Sequence, residues 1–257
     1  MCNGSIMDKL ISFSLPLMVS GILQLAFNAV DIIVVGRFSG SQALAAVGST
    51  TALINVFTNL FIGISLGANV LAARFYAAGK DREMSETVHT SITLALISGI
   101  MMAVIGVLLA KSALEIMGTP DDVIGQSALY MRIYFMGMPF FMLYNYGAAI
   151  LRAIGDTKRP LIFLIISGIA NAALNMILVI IFHMGVAGVA IGTIISQLIS
   201  CVLVLTCLYR SEGSYQLRFS KLRINGAYME QIFQVGVPAG IQSTVINLSN
   251  ALLQSSV

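Results

Sequence analysis

One carboxylate, Asp31, lies inside the first long apolar run of the sequence, which covers residues 10–36. A helix of about 20 apolar residues crosses a bilayer, so this run predicts a transmembrane helix. A carboxylate in the middle of such a helix costs about 2.5 to 3.5 kcal/mol on insertion scales, and residues of this kind usually bind protons, ions or substrates. Asp31 is therefore the first candidate for a functional residue.

Three polar residues precede Asp31 at steps of four, four and three, and they are Ser20, Gln24 and Asn28. This spacing puts the four side chains on one face of a helix. Because the rest of the helix is apolar, the polar face predicts a wet or hydrogen-bonded interior, with lipid on the opposite side. We expect Gln24 and Asn28 to line a substrate cavity beside Asp31, whereas helix packing is the alternative role for Ser20.

The composition excludes a soluble globular domain, because 58% of the 257 residues are hydrophobic and only 10% are charged. The cysteines, Cys2, Cys201 and Cys207, show neither metal-ligand nor disulfide spacing. The N-terminus lacks the pattern of a cleavable signal, so the first helix is expected to direct its own insertion. We expect a multi-pass protein of the plasma (cytoplasmic) membrane, in contact with the lipid bilayer and not with nucleic acid.

Seven apolar runs predict spanning helices, and they cover residues 10–36, 43–73, 88–110, 126–151, 160–182, 186–209 and 232–257. Polar loops are expected at residues 37–42, 74–86, 111–125, 183–185 and 210–223. Pro16 and Pro139 lie inside the first and the fourth run, where proline removes a backbone hydrogen bond, so both predict helix bends. Before the fourth run, Thr119 predicts an N-cap and Pro120 the first helical residue.

Six further polar side chains lie inside the later runs, and they are Asn55, Tyr144, Asn145, Asn171, Asn175 and Gln197. Asn171 and Asn175 are one helical turn apart, so they share a face of the fifth helix. We expect Asn55, Tyr144, Asn145 and Gln197 to line the substrate cavity. Tyr130, near the start of the fourth run, predicts an anchor at the membrane interface.

The basic residues indicate the orientation of the chain in the membrane. If the helices alternate in direction, eleven of the fourteen Lys and Arg fall on the side of the N-terminus. The other three are Arg37, Lys111 and Arg132. Because positive residues are retained on the cytoplasmic side, the N-terminus is predicted to be cytoplasmic.

The seventh run resembles the first, since setting Pro16 on Pro238 aligns two apolar segments and matches Asn28 with Asn250. The two copies are six helices apart, so they would share one orientation, as in transporters with parallel repeats. The prediction is an all-α membrane protein. It would have a six-helix transmembrane bundle at residues 1–224, and residues 225–257 would be the linker end and first helix of a second bundle.

Motifs for catalysis or cofactors form no consistent set. The segment Gly63-Ile-Ser-Leu-Gly67 has nucleophile-elbow spacing, but it lies inside a predicted membrane helix. His89 and His183 fall on opposite sides of the membrane, and no Lys follows Lys221 to form a retinal Schiff base. We therefore expect no enzyme activity, no cofactor and no metal other than a coupling ion. Glycine pairs at residues 63–67, 188–192 and 236–240 instead predict helix-packing faces.

Several segments resemble the multidrug and toxic compound extrusion (MATE) transporters. They are VDIIVVGRFSGSQALAAVG, GISLGANVLAARFYAAGK, YMRIYFMGMPFFMLYNYGAAILRAIGDTKRP, NAALNMILV, GVAGVAIGTIISQ and VGVPAGIQS, in the order of the family. The resemblance implies a twelve-helix secondary antiporter of two six-helix bundles, which exports organic cations or amphiphilic drugs in exchange for H+ or Na+ by alternating access. A second six-helix half is therefore expected, and it is missing from this sequence.

The resemblance also implies an ion-coupling site, in which Asp31 matches the first-helix carboxylate of the family and Asn171 the fifth-helix Asn. Asn175 stands where many members carry a second Asp, and an amide can ligate Na+ but cannot carry a proton. Because residues 231–257 contain no acid, the sequence looks closer to the branch of DNA-damage-inducible protein F than to the norfloxacin exporters. The alternatives are a lipid or lipid-linked oligosaccharide flippase of the same superfamily and a non-transporting fragment.

Overall fold

A computed structural model describes residues 6–255, apart from the side chains of residues 6, 9, 52 and 247–255. Its helices are α1 (Ile6–Phe38), α2 (Gly40–Ala77), α3 (Asp81–Ile116), α4 (Asp121–Met136), α5 (Met138–Ala153), α6 (Lys158–Met176), α7 (Gly185–Arg210) and α8 (Gly226–Ser255). A π-helical turn (Ile177–Ile181) extends α6, and a 3-10 turn (Phe219–Lys221) precedes α8. No strand occurs among the described residues, and the predicted all-α fold is confirmed.

Five helices in the described part of the chain are long and apolar enough to cross a membrane. They cover Leu10–Phe38, Gly40–Ala77, Asp81–Ile116, Lys158–Ile181 and Gly185–Arg210. Two residues named in the sequence predictions lie outside the described part of the structure, and they are Cys2 and the side chain of Asn250.

The first two connections are shorter than the sequence predicts. Ser39 alone separates α1 from α2, and Gly40 supports this reversal with a φ of +86°. The loop expected at residues 74–86 is mostly helical, because α2 continues to Ala77 and α3 begins at Asp81. Acidic residues in the first turn of α3 interact favourably with the helix dipole, so charge does not end the helix there.

The predicted loop before α4 is also wrong, because α3 continues to Ile116. Most of the expected loop at residues 111–125 is therefore helical. Pro120 is the N-cap of α4 and Asp121 its first residue, so the predicted cap at Thr119 is one residue too early.

The fourth apolar run forms two helices, not the single kinked helix that was predicted. α4 ends at Met136 and α5 begins at Met138, with Gly137 between them. Pro139 is thus in the first turn of α5, where its missing N–H costs no intrahelical bond. In contrast, α1 continues through Pro16 without interruption. A role for either proline as a bend point in transport stays a prediction.

α8 packs along α2 through glycines of both helices. A Cβ on Gly63 would collide with the backbone of Gly240, and a Cβ on Gly67 would collide with the carbonyl oxygen of Ile232 and approach Gly236 N to 2.9 Å. Glycines four residues apart allow two helix backbones to approach this closely. The contact confirms the predicted packing faces of these two glycine pairs.

The segment between α7 and α8, residues 211–225, is attached to the first turns of α3. Arg218 N–H donates to His89 Nε2 at 3.1 Å. The carboxylate of Glu86 accepts from Asn225 Nδ2 at 2.8 Å and from Arg223 Nη2 at 3.1 Å. Because Asn225 immediately precedes α8, these bonds fix where the last helix begins.

We expect Glu86→Ala to loosen this segment, because the substitution removes the acceptor of both bonds. Hydrogen bonds to charged groups contribute about 1.5 to 3 kcal/mol when they are well shielded and less when they are exposed, so a loss of about 1 to 2 kcal/mol is expected. This corresponds to tryptic cleavage after Arg218, Lys221 or Arg223 that is about 5 to 30 times faster. Limited proteolysis of the solubilised full-length protein measures the rate.

The matched control is Glu115→Ala, which removes an exposed carboxylate 3.7 Å from Lys111 Nζ within the last two turns of α3. We expect this variant to be cleaved at the wild-type rate. Equal cleavage rates for the two variants would mean that Glu86 does not hold the segment.

Candidate functional site

Asp31 on α1 accepts a hydrogen bond from the first of two linked amide side chains of α6. Asn175 Nδ2 donates to Asp31 Oδ1 at 2.5 Å and to Asn171 Oδ1 at 3.3 Å. Asn171 Nδ2 reaches Thr193 Oγ1 of α7 at 3.4 Å. A continuous hydrogen-bond network therefore joins three helices around a single carboxylate, and it unites the three residues that the sequence analysis assigned to ion coupling.

Asn175 is the most enclosed member of this network. Its side chain is 0% exposed, against 6% for Asn171. Gly192 of α7 makes room for it, because a Cβ there would collide with Asn175 Oδ1. The amide lies at the point where α6 passes into its π-helical turn, and turns of this kind are frequent at functional sites.

Among the fully buried oxygens of the network, Asn175 Oδ1 has no hydrogen-bond partner in the described structure. A buried amide oxygen without a partner costs about 1 to 3 kcal/mol. A bound cation or water would therefore be stabilised next to this oxygen. Since no group of three or more His, Cys, Asp or Glu occurs among the described residues, an ion here would rely on amide and hydroxyl oxygens beside Asp31.

Two tyrosines of α4, Tyr130 and Tyr134, lie within electrostatic range of Asp31. Their ring centroids are 6.1 Å apart, and Tyr130 is only 6% exposed. The interface anchor predicted for Tyr130 is therefore wrong, because its ring packs inside the bundle. Gln197 of α7 lies beside the break between α4 and α5. The helix break at Gly137 admits this side chain, since a Cβ there would lie 2.7 Å from Gln197 Oε1.

Three predicted cavity residues lie on exposed helix faces. Gln24 and Asn28 are exposed on α1, and Asn55 is exposed on α2. The described chain does not enclose them. Their role in lining a substrate cavity stays a prediction.

Tyr144 and Asn145 are the two predicted cavity residues that follow Pro139, and each donates a hydrogen bond to a backbone carbonyl oxygen. Tyr144 Oη donates to Pro160 O at 3.2 Å, across to the start of α6. Asn145 Nδ2 donates to Phe141 O of its own helix at 2.8 Å. Both side chains are half-buried, and neither hydrogen-bonds to the network around Asp31.

The sequence did not identify Thr193 as a member of this network, or Tyr130 and Tyr134 as neighbours of Asp31. The spacing offered a signal for one of them, because Thr193 is one turn before Gln197 on the same face of α7. No such signal was available for the tyrosines. The face that α4 turns towards α1 depends on the break at Gly137, which periodicity does not reveal.

The family model MatE matches residues 16–177. Among curated proteins, "Probable multidrug resistance protein YoeA" of Bacillus subtilis (strain 168) is 33% identical over 254 residues, which are 95% of this chain and 54% of that protein. "Multidrug export protein MepA" of Staphylococcus haemolyticus (strain JCSC1435) is 28% identical over 257 residues, with coverages of 96% and 56%. The chain spans about half the length of these curated relatives.

Solved structures show the same fold. A MATE protein crystallised in the bent conformation superposes with a TM-score of 0.90 at 22% identity, covering 98% of this chain and 56% of that one. An outward-facing multidrug resistance MATE family transporter of the MOP superfamily gives a TM-score of 0.89, again at 22% identity, with coverages of 98% and 56%. The matched residues 16–177 include Asp31 and both amides of α6, and this multi-pass, all-α membrane chain belongs to the MatE family.

Proposed function

We propose that the full-length protein is a secondary antiporter, which exports organic cations or amphiphilic drugs in exchange for H+ or Na+. The observation that carries this proposal is the single membrane carboxylate, Asp31, hydrogen-bonded to the buried amide of Asn175. A carboxylate in such surroundings is costly unless a proton, a metal cation or an organic cation neutralises it. The relatives named for multidrug resistance and multidrug export support a drug-like substrate.

Competition for Asp31 would couple the two fluxes. A proton would bind to the carboxylate itself. Na+ would take oxygens from Asp31, Asn171, Asn175 and Thr193, which are the hard ligands that such a cation prefers. The unpaired Oδ1 of Asn175 fits this donor set, since rotation of the amide would turn that oxygen towards the carboxylate. An organic cation would bind to the same carboxylate. Export of the organic cation would therefore require release of the coupling ion from Asp31.

Alternating access would need a second six-helix half, of which α8 is the first helix. We place the protein in the cytoplasmic membrane with its N-terminus in the cytoplasm, because most basic residues fall at that end of the helices. Gln24, Asn28 and Asn55 would then face the space between the halves, where exposed polar side chains can meet a substrate.

The test is uptake of ethidium into everted membrane vesicles that contain the full-length protein, driven by an imposed proton or sodium gradient. We expect uptake above that of vesicles without the protein under one of the two gradients, and that gradient identifies the coupling ion. Absence of uptake under both gradients would contradict export of organic cations. Transfer of a fluorescent phospholipid between leaflets in the same vesicles would then favour the flippase alternative.

The amide at position 175 offers a second test. We expect Asn175→Asp to move the drive for uptake from sodium towards protons, or to shift the pH optimum if protons already drive it. Two carboxylates in hydrogen-bond contact cannot both ionise readily, so the pair would share a proton. Ethidium uptake as a function of pH and sodium concentration measures the change.

Asn145→Asp is the matched control, because Asn145 bonds to its own helix backbone and not to Asp31. We expect its ion dependence to equal that of the wild type. An unchanged ion dependence in Asn175→Asp, in a protein that still transports, would exclude Asn175 from ion coupling.

A further inference from the structure

An open cavity of about 480 Å³ lies where α7 ends and the segment to α8 begins. Its lining residues are Tyr209, Gln216, Arg218, Phe219 and Ser220. It is far along the chain from the network around Asp31, which ends at Thr193 of α7. The proposed transport reaction does not use this cavity.

Two aromatic rings form an exposed apolar surface beside it. Tyr209 and Phe219 stack with centroids 5.8 Å apart and planes inclined by 28°. Each residue is 54% exposed. Aromatic side chains at the end of a spanning helix typically lie at the level of the lipid headgroups. The stack therefore indicates contact with the membrane interface.

Gln216 connects this surface to a charge. Its Nε2 donates to Tyr209 O at 3.4 Å, and its Oε1 accepts from Arg218 Nε at 3.0 Å. The backbone of Arg218 is fixed in turn, because its N–H donates to His89 Nε2 on α3. Gln216 thus holds the Nε of the Arg218 guanidinium, and His89 holds the backbone of the same residue. The Nη groups of Arg218 can donate to another acceptor.

The charge at this site is not neutralised within the chain. No carboxylate pairs with Arg210, Arg218 or Lys221 in the part of the chain that the structure describes, whereas the nearby Arg223 pairs with Glu86 at 3.1 Å. Glu212 is the one acid between α7 and α8. Three unpaired cations against one acid give the end of α7 and the segment to α8 a net positive charge.

We propose that this cavity binds the headgroup of an anionic phospholipid from the surrounding leaflet. The phosphate would accept hydrogen bonds from the Arg218 guanidinium, with Arg210 and Lys221 supplying further positive charge. The upper part of the acyl chains would lie against Tyr209 and Phe219. An anionic lipid satisfies both the charge and the exposed rings, whereas a soluble phosphate satisfies only the charge. The bound lipid would tie the segment before α8 to the membrane surface.

The test uses full-length protein in nanodiscs of mixed phosphatidylcholine and phosphatidylglycerol. Native mass spectrometry measures how much phosphatidylglycerol stays bound after the protein is released from the nanodiscs. We expect selective retention of phosphatidylglycerol by the wild type. Each basic residue near a membrane surface contributes about a fivefold factor to anionic lipid binding, so Arg218→Gln is expected to reduce retention about fivefold. Phe219→Ala is expected to reduce it as well, and Arg218→Lys to preserve most of it.

Matched controls are exposed residues elsewhere in the chain. Arg132→Gln removes an exposed arginine of α4, and Phe182→Ala removes a phenylalanine that is 64% exposed. We expect both to retain phosphatidylglycerol at the wild-type level. Equal retention by the Arg218 and Arg132 variants, or displacement of the lipid by inorganic phosphate alone, would overturn the proposal. Ethidium uptake is a separate readout, and its failure would leave the lipid result intact.

Discussion

Replacing Asp31 by Asn in the full-length protein is expected to reduce gradient-driven ethidium uptake to the level of vesicles without the protein. The substitution keeps the size of the side chain and a hydrogen bond to Asn175. It removes the only charge in the network of α1, α6 and α7. Because the amide cannot exchange a proton, and binds Na+ or an organic cation less strongly than a carboxylate, neither flux can be coupled.

Asp122→Asn is the control, since this exposed carboxylate lies in the first turn of α4 and outside the network. We expect its uptake to equal that of the wild type. Asp31→Asn should be present in the membrane at a normal level, because a neutral amide is easier to bury than a charge. Normal uptake by this variant would exclude Asp31 as the coupling residue.

Gly67→Ala is expected to destabilise the protein by about 1 to 3 kcal/mol, which is the usual cost of an overpacked contact. The added Cβ would collide with the carbonyl oxygen of Ile232 on α8, and backbone cannot move aside as a flexible side chain can. Gly63→Ala meets the backbone of Gly240 in the same way. Thermal unfolding of the solubilised full-length protein measures the loss.

Gly48→Ala provides the comparison on the same helix, because no atom beyond the local helix backbone lies within 4 Å of a Cβ at that position. We expect Gly48→Ala to stabilise the protein by about 0.5 to 1 kcal/mol, because Ala has a higher helix propensity than Gly and its methyl group meets no neighbour. If Gly67→Ala and Gly48→Ala had the same unfolding temperature, the close contact between α2 and α8 would not exist in the folded protein.

The sequence predicted the helical fold because hydrophobic runs of membrane length are the strongest signal a sequence contains. It did not predict the helix ends. The run at residues 126–151 is continuous in hydropathy, yet the chain breaks at Gly137, where Gln197 from α7 needs the space that a Cβ would fill. That requirement comes from a contact between distant parts of the chain, which no local pattern encodes.

The candidate site was predicted in part. Asp31 was found because ionisable residues in a membrane helix are few. Spacing puts Asn171 and Asn175 on one face of a helix, whereas their assignment to ion coupling came from the resemblance to the MATE family. The network adds Thr193, and the rings of Tyr130 and Tyr134 are neighbours that only the packing of α4 reveals. Gln24 and Asn28 share the polar face of Asp31, and Asn55 was predicted to line the same cavity, but the described chain leaves all three exposed. Their surroundings depend on what covers α1 and α2.

Competition at Asp31 can be measured without any gradient, as binding of ethidium to the purified full-length protein at varied pH and sodium concentration. We predict that the coupling ion weakens ethidium binding to the wild type in proportion to its own occupancy. The same titration should have no effect on Asp31→Asn. Ethidium affinity that is independent of both ions in the wild type, or the same ion dependence in Asp31→Asn, would contradict coupling through this carboxylate.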